Sequence, residues 1–431
     1  MSNNSSLHIR LTNHWSIPVP RNISVQFLVL FPFILIYAGT VFQNTIPIIT
    51  TVTKAASFVY MIIYVVLKRK VKANLFYSTL LFLPLLLYGV LNAWNLKAGV
   101  SDGLRYLFPI AVLFYSYAIK EHFSLLLKFV VFFIVINFLV QIVNYINWMR
   151  GIQQWFYYTT EDGYVHYNKT SGVIRATGTV VFFGFLGFMS MISFFLIKFY
   201  YRGRHKLVLL AISLFLLLAS FSYKAFGPFL IILLAYYYKD IYKLILGLLI
   251  GGLGIYLIIP EHVNLFFQNL LLRIKLYITQ GNSARSESYR VMWNEIFSGN
   301  WFGRGAGVFG GPASTAYDSW YYHMVAFNWF DAKWLGLTTT DTYLPHLFVE
   351  LGIIGGLVYL IVLVMPLVRQ RITKGYLVVL AIYLCLFFDM LFSFSLNNLD
   401  YLMFSLAFIY PILYYIDEKD NTKIAPLLNE K

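Results

Sequence analysis

The feature that most constrains this chain is a series of apolar runs, each about 18 to 22 residues long, that recurs along its whole length. A run of this length lets an α-helix cross a hydrocarbon core of about 30 Å. Hydrophobic residues make up 59% of the 431 residues and charged residues only 12%, about half the charged fraction of a soluble domain. A soluble globular enzyme and a disordered chain are therefore excluded. The single cysteine, Cys385, excludes an intrachain disulfide.

The apolar runs, read against the charged loops between them, predict an all-α polytopic membrane protein with about twelve transmembrane helices. The predicted spans are 25–42, 46–67, 73–91, 103–119, 123–143, 178–197, 207–221, 225–238, 244–259, 346–367, 376–396 and 401–416. Only three residues separate 207–221 from 225–238. We expect a tight helical hairpin there, with a re-entrant pair as the alternative.

The basic residues are distributed so that both termini are predicted to be cytoplasmic. In that orientation the cytoplasmic segments hold 19 of the 33 Lys and Arg residues but only 6 of the 18 Asp and Glu residues, in agreement with the positive-inside rule. The net charge of +15 is thus mostly a topology signal. It forms no basic face of the kind that nucleic-acid binding needs, so no nucleic-acid partner is expected.

Two long loops, 144–177 and 260–345, fall on the extracytoplasmic side, and the second lies between spans 9 and 10. The chain divides into N-terminal membrane helices with the first outer loop (1–177), core membrane helices (178–259), a large extracytoplasmic loop with amphipathic helices (260–345) and C-terminal membrane helices (346–431). Long loops in a compact protein usually carry function. The second loop is rich in Trp, Tyr and Phe, which anchor surface elements at a membrane interface or stack on sugar rings.

Several cations lie on the side that the charge rule keeps poor in Lys and Arg. They are Arg175, Lys224, Arg273, Arg285, Arg290 and Arg304. Because the guanidinium fork matches phosphate oxygens, this set indicates an anionic, lipid-linked or diphosphate substrate. The alternative is a set of headgroup contacts or local ion pairs, such as Arg290 with Glu287.

Residues 283–297 are predicted to form an amphipathic helix with Tyr289, Met292, Trp293 and Ile296 on one face. This spacing places Arg290 beside that stripe, where its side chain can point towards a cavity in the membrane bundle. A glycine-rich turn follows, with glycines at 303, 305 and 307 that permit positive φ and close backbone approach. The spacing is not that of a Walker loop.

Asp341, His346 and Glu350 are the candidate catalytic residues. Pro345 fits the first turn of a helix, which puts His346 and Glu350 one turn apart on the same face at the mouth of a span. Asp341 or His346 would take a proton from a sugar hydroxyl, and Glu350 would orient the imidazole. The alternatives are a helix N-cap for Asp341 and a loop-bonded interfacial histidine. No HExxH or DxD pair is present, so neither a metal site nor a cofactor is predicted.

The order of these motifs resembles the bacterial O-antigen polymerase and ligase superfamily, most closely its Wzy-type repeat-unit polymerases. The resemblance covers about residues 170–360. Its motifs are Arg175-Ala-Thr-Gly-Thr, Ser220-Phe-Ser-Tyr-Lys-Ala, Arg290-x-x-Trp, Gly303-x-Gly-x-Gly, Asp341-Thr-x-Tyr-Leu and Glu350-x-Gly-x-x-Gly.

The resemblance implies a GT-C-like, multi-pass protein of the bacterial inner membrane. Its activity would be metal-independent, inverting glycosyl transfer that joins undecaprenyl-diphosphate-linked repeat units into surface polysaccharide, such as O-antigen, capsule or exopolysaccharide. Arg175, Lys224 and Arg290 match the family's diphosphate-contacting cations, while Arg285 and Arg304 are added from their location. Membrane lipids, a chain-length regulator and a flippase are the implied partners.

The chain departs from the family pattern at two positions. Lys224 stands where the family's hairpin usually has arginine, and lysine supplies charge without a bidentate fork. Asp341 precedes the Tyr-Leu pair where ligases have histidine, which favours a polymerase and leaves His346 as the rival base. The alternative functions are a ligase that transfers finished glycan to another acceptor and a flippase or transporter of lipid-linked oligosaccharide.

Overall fold

The computed structural model describes residues 23–43, 46–156, 173–240, 283–327, 339–368 and 375–417, with isolated positions between 158 and 170 and between 242 and 272. Much of the predicted span 244–259, and Arg273, lie outside the described residues.

Helices dominate the described chain. They are α1 (Ile23–Phe42), α2 (Pro47–Lys68), α3 (Ala73–Leu91), α4 (Leu96–Ala118), α5 (Phe123–Met149), α6 (Phe183–Tyr200), α7 (Lys206–Ala219), α8 (Tyr223–Tyr236), α9 (Ala284–Phe297), α10 (Pro312–Ala316), α11 (Tyr321–Met324), α12 (Tyr343–Val364), α13 (Tyr376–Phe392) and α14 (Leu399–Met403), followed by a helix at 409–417. Two antiparallel pairs of two-residue strands precede α6: β1 (Tyr158–Thr159) with β2 (Val165–His166), and β3 (Lys169–Thr170) with β4 (Val173–Ile174).

Six helical stretches of the described chain are long and apolar enough to cross a membrane, as a helical membrane protein requires. They are Ile48–Lys68, Ala73–Leu91, Lys120–Met149, Phe183–Tyr200, Tyr343–Leu367 and Leu399–Asp417. Four shorter apolar helices, Val25–Val41, Lys206–Ala219, Tyr223–Tyr236 and Tyr376–Phe392, accompany them. The helix at predicted span 103–119, α4, begins earlier at Leu96 and carries Lys97, Asp102 and Arg105. Those charges make it more polar than the six.

The core lies around the segment Leu399–Asp417. The ring of Phe404 packs 5.3 Å from that of Phe133 and 5.6 Å from that of Phe129. In the apolar part of this segment 89% of the residues are buried, whereas in that of Ile48–Lys68 only 22% are buried. The side chains of α2 are therefore mostly on the surface, as expected for a helix that faces lipid.

Helix α12 is broken at Gly352, whose φ of 69° and ψ of −175° are not helical. The break frees backbone groups that must find partners when buried. Residues 299–311, here called the glycine-rich turn, supply them. The amides of Arg304 and Gly305 donate to the carbonyls of Val349 and Glu350 at 2.9 and 3.1 Å, and the amide of Ile353 donates to the carbonyl of Asn300 at 3.2 Å.

Glycine is needed in this turn for two reasons. The predicted positive φ values are present at Gly303 (+83°), Gly305 (+100°) and Gly307 (+76°). A Cβ atom on Gly303 would also lie 2.1 Å from the Glu350 carbonyl oxygen, so a side chain there would force the turn away from α12. The prediction that these glycines permit close backbone approach is confirmed.

We predict that Gly303→Ala destabilises the protein much more than Gly151→Ala. Both glycines have positive φ, but a Cβ on Gly151 meets nothing within 4 Å. The control should cost only the left-handed backbone penalty of about 1–2 kcal/mol, and Gly303→Ala should add an overpacking cost of about 1–3 kcal/mol. Thermal unfolding in detergent measures both, and equal losses would contradict the proposed contact with α12.

Candidate functional site

The buried part of the site includes His346 and Glu350, which lie on the first two turns of α12. Pro345 is in the first turn, as predicted. Both side chains are fully buried, and His346 Nδ1 lies 3.3 Å from Glu350 Oε1. The expected juxtaposition of imidazole and carboxylate is therefore present. The closest partner of Nδ1 is the Phe309 carbonyl at 2.8 Å, so the histidine is bonded to a loop, as the alternative interpretation proposed.

Asp102 of α4 joins this pair, although sequence analysis missed it. It is fully buried, and one ligand atom from each of Asp102, His346 and Glu350 lies within 4.8 Å of the other two. Arg105 Nη1 contacts Asp102 Oδ1 at 2.7 Å. The sequence pattern that could have identified Asp102 is an Asp and an Arg three residues apart in an apolar stretch. Ionisable groups at membrane depth are usually functional.

Helix α4 and the glycine-rich turn hold the buried carboxylate of Glu350. Tyr106 of α4 donates its hydroxyl to Glu350 Oε2 at 3.1 Å, and its ring stacks on His346 at a centroid distance of 5.2 Å. The amide of Phe309 donates to Glu350 Oε1 at 3.2 Å. The buried cluster Asp102–His346–Glu350 therefore links α4, α12 and the glycine-rich turn.

Asp341 differs from the buried cluster because its side chain is 53% exposed. Its φ is +56°, a conformation that Asp tolerates better than most residues. Arg285 Nη2 contacts Asp341 Oδ2 at 2.9 Å. The N-cap of α12 is Thr342, so the alternative interpretation of Asp341 as the cap is wrong.

Lys224 and Arg175 lie near one another in the fold but have different partners. Lys224 Nζ pairs with Asp389 Oδ1 of α13 at 3.4 Å. The guanidinium of Arg175 is buried. It donates to the carbonyls of Ser220 and Phe221 at 3.0 and 2.6 Å. Arg175 thus secures the connection between α7 and α8.

The predicted amphipathic helix is present as α9, with Ser283 as its N-cap in a capping box with Ser286. The predicted apolar face is only partly right. The buried residues of α9 are Glu287, Ser288, Val291, Met292 and Glu295, whereas Trp293 is 49% exposed. Polar contacts, among them the bond of 2.7 Å between the hydroxyls of Ser288 and Thr342, contribute to this orientation together with the burial of Val291 and Met292.

Arg290 lies on the exposed side of α9, with 48% of its side chain accessible. Its Nη2 donates to the Val325 carbonyl at 3.1 Å and lies 3.6 Å from Glu287 Oε1. The local ion pair considered as the alternative is therefore formed. The expectation that Arg290 points into a membrane cavity does not fit these contacts with a loop.

Arg304 forms a bidentate pair with Glu295, at 2.9 Å from Nε and 3.2 Å from Nη2. Tyr321 donates its hydroxyl to the same carboxylate at 2.5 Å. The hydrogen bond that Arg304 donates to the Glu295 carboxylate raises the pKa of Arg304 above its usual range. Burial, reinforced by the contact with Glu295, raises the pKa of Tyr321. Arg304 therefore stays charged and Tyr321 stays a donor at physiological pH.

The five predicted cations do not form one site. Arg285 and Lys224 lie at the same end of the bundle, because Tyr289 of α9 donates to the Leu391 carbonyl at 2.9 Å, two residues beyond Asp389. Arg304 pairs instead near the other end of α9. Ten residues of helix separate Arg285 from Glu295, a rise of about 15 Å.

Comparison with protein-family models, curated proteins and solved structures finds no match for the chain. The superfamily resemblance drawn from the motifs stays a prediction.

We predict that Glu295→Gln destabilises the protein by about 1–3 kcal/mol, because it weakens a largely buried, charge-assisted set of hydrogen bonds. Glu121→Gln is the matched control. Its ion pair with Lys70 has the same 2.9 Å separation, but both side chains are about half exposed, so the loss should be about 0–1 kcal/mol. Unfolding in detergent compares the two, and equal losses would remove the structural role of Glu295.

Proposed function

We propose that the protein polymerises undecaprenyl-diphosphate-linked oligosaccharide repeat units by inverting glycosyl transfer at the extracytoplasmic membrane face. A hydroxyl of the acceptor unit attacks the anomeric carbon of the donor glycan. The glycosidic bond to diphosphate breaks, undecaprenyl diphosphate leaves and a base accepts the hydroxyl proton. The protein must supply an accessible base, cations for the departing diphosphate and apolar surface for lipid.

The observation that carries the proposal is the Asp341–Arg285 pair at the start of α12. Its carboxylate is 53% exposed and lies 2.9 Å from a guanidinium that is 29% exposed. A general base must come within hydrogen-bond reach of the hydroxyl it deprotonates, and an accessible carboxylate held in one orientation by a cation is open to such an approach. In this proposal Arg285 orients Asp341 rather than binding the leaving group, because the base and the leaving group lie on opposite faces of the sugar ring.

Burial favours Asp341 over His346 as the base. His346 is fully buried, and its Nδ1 already contacts the Phe309 carbonyl. An acceptor hydroxyl would have to enter the packed core to reach it. The buried cluster is better suited to hold α12 and the glycine-rich turn in place behind Asp341.

Arg290 is the best-placed cation for the leaving diphosphate. It lies five residues beyond Arg285, a rise of about 7.5 Å along α9. Its long contact of 3.6 Å with Glu287 leaves phosphate oxygens able to compete for the guanidinium. Lys224, 29% exposed and 3.4 Å from Asp389, supplies a second charge at this end of the bundle.

An apolar cavity of about 420 Å³ between α12 and α13 supports a lipid-linked substrate. Leu344 and Phe348 line the end nearest Asp341, and Leu363 and Leu367 line the other. The cavity thus borders α12 on both sides of its break at Gly352. We retain the twelve spans, the GT-C-like architecture and the cytoplasmic termini as parts of this proposal.

A flippase or transporter is the second candidate, favoured by the break in α12 at Gly352. Interrupted helices are typical of transporters, whose substrates bind at the unwound backbone. Here the freed backbone groups are occupied by the glycine-rich turn, through Arg304 and Gly305. The break therefore favours a structural role over the ion-binding role that it would have in a transporter.

We predict that Asp341→Asn lowers turnover on purified lipid-linked repeat units by about 10²–10⁴-fold, the usual contribution of a general base, with little change in the unfolding temperature. His346→Gln should show the opposite pattern, a clear loss of stability with turnover per folded molecule largely retained. If Asp341→Asn keeps wild-type turnover, Asp341 is not the base. If only His346→Gln loses turnover, and does so without unfolding, His346 is the general base.

We predict that Arg290→Ala abolishes polymer in cells while lipid-linked single repeat units accumulate, because the departing diphosphate loses its cation. Arg290→Lys should retain part of the activity, since lysine keeps the charge without the fork. Arg204→Ala, a change at an exposed arginine in the predicted cytoplasmic loop 198–206, is the matched control. Unchanged polymer length and amount in Arg290→Ala would exclude the diphosphate role.

A further inference from the structure

We infer that Asp102, His346 and Glu350 bind one divalent transition-metal ion, such as Zn²⁺ or Mn²⁺. The set combines one imidazole nitrogen with two carboxylate oxygens, and such ligands suit these ions. The inference concerns the buried cluster alone and does not depend on the proposed polymerase activity.

The spacing of the three side chains fits chelation. His346 and Glu350 are one helical turn apart on α12, and Asp102 approaches from α4. One ligand atom from each lies within 4.8 Å of the other two. Atoms that bind one ion at about 2.0–2.2 Å lie roughly 3.4 Å apart in tetrahedral geometry, so the three side chains would close towards the ion as it binds.

Two buried oxygen atoms beside this cluster have no hydrogen-bond partner among the described residues. They are Asp102 Oδ2 and Asn397 Oδ1. The amide of Asn397 lies 3.5 Å from His346 Nε2, and rotation of that amide would exchange its nitrogen and oxygen. Buried oxygens without donors are costly, and a cation would satisfy both.

Gly311 leaves the space in which Asp102 Oδ2 approaches the imidazole. A Cβ atom built on Gly311 would lie 2.3 Å from Asp102 Oδ2 and 2.7 Å from His346 Cε1. Both atoms therefore border the same small volume, and that volume exists because residue 311 has no side chain.

The hydrogen bonds around the cluster resemble the outer shell of a metal site. With Nδ1–H donating to the Phe309 carbonyl at 2.8 Å, Nε2 is the nitrogen with the lone pair, and rotation of the Asn397 amide that now faces it would leave that lone pair for the ion. Metal-binding histidines usually donate their other ring N–H in this way. The Glu350 carboxylate accepts from the Phe309 amide and the Tyr106 hydroxyl, as ligating carboxylates commonly do.

The charges of the cluster favour a bound cation. Two buried carboxylates face one arginine, Arg105, whose Nη1 contacts Asp102 Oδ1 at 2.7 Å. The neighbouring Tyr106 and Tyr343 rings, which pack against His346, carry no charge. An unbalanced buried carboxylate is strongly unfavourable. Because all three ligands are fully buried, the ion would join α4 to α12 structurally and stay out of reach of substrate.

The test begins with the wild-type protein, purified in detergent, loaded with Zn²⁺ or Mn²⁺ and dialysed. Elemental mass spectrometry should find about one equivalent of metal per chain, and a chelator should lower the unfolding temperature until the metal is restored. Asp102→Asn and His346→Gln should lose the bound metal. Asp341→Asn is the control, because it removes an exposed carboxylate five residues from His346 and should keep the metal whatever its turnover.

Two results would overturn the inference. Wild-type protein without stoichiometric metal, whose unfolding temperature is unaffected by chelator, would mean that a proton on His346 balances the cluster instead. Retention of a full equivalent by a folded Asp102→Asn variant would place the metal elsewhere. The chelation experiment uses the native chain, so it decides the question even where a substituted protein fails to fold.

Discussion

The pairing of the glycine-rich turn with the broken helix α12 is the constraint on which the rest of the structure depends. Helix α12 carries His346 and Glu350 before its break at Gly352, and the turn satisfies the backbone groups there through Arg304 and Gly305. The same turn presents the Phe309 backbone to both side chains. If the glycines at these close approaches carried side chains, the turn would separate from α12. The buried cluster would then lose its contacts with the Phe309 backbone.

Burial separates the charged groups into two sets with different tasks. Asp102, His346 and Glu350 are fully buried, with Arg105, the Phe309 backbone and Tyr106 as partners, so they lie at the junction of α4, α12 and the turn. Asp341, Arg285 and Arg290 keep exposed surface and are available to a substrate. Accessibility, more than residue type, decides which carboxylate is suited to proton transfer.

Features set by local sequence were predictable. The position of Pro345 in the first turn of α12, the pairing of His346 with Glu350 and the positive φ of Gly303 each follow from spacing or steric rules within a few residues. Contacts between distant segments were not predictable from the sequence. Asp102 reaches His346 only through the packing of α4 on α12, and Glu295 turns α9 because Arg304 and Tyr321 are brought to it. The stripe through Trp293 was misjudged because polar contacts at Ser288 and Glu295 help to orient that helix, which buries Val291 and Met292 and leaves Trp293 half exposed.

The central claim is tested most directly by incubating the purified protein with undecaprenyl-diphosphate-linked repeat units and separating the products by size. The account predicts a ladder of glycans that grows by one repeat unit per step, with release of undecaprenyl diphosphate. Transfer of preformed glycan onto a different acceptor would indicate a ligase. The absence of new glycosidic bonds, together with movement of the lipid-linked units across liposome membranes, would contradict the account and indicate a flippase.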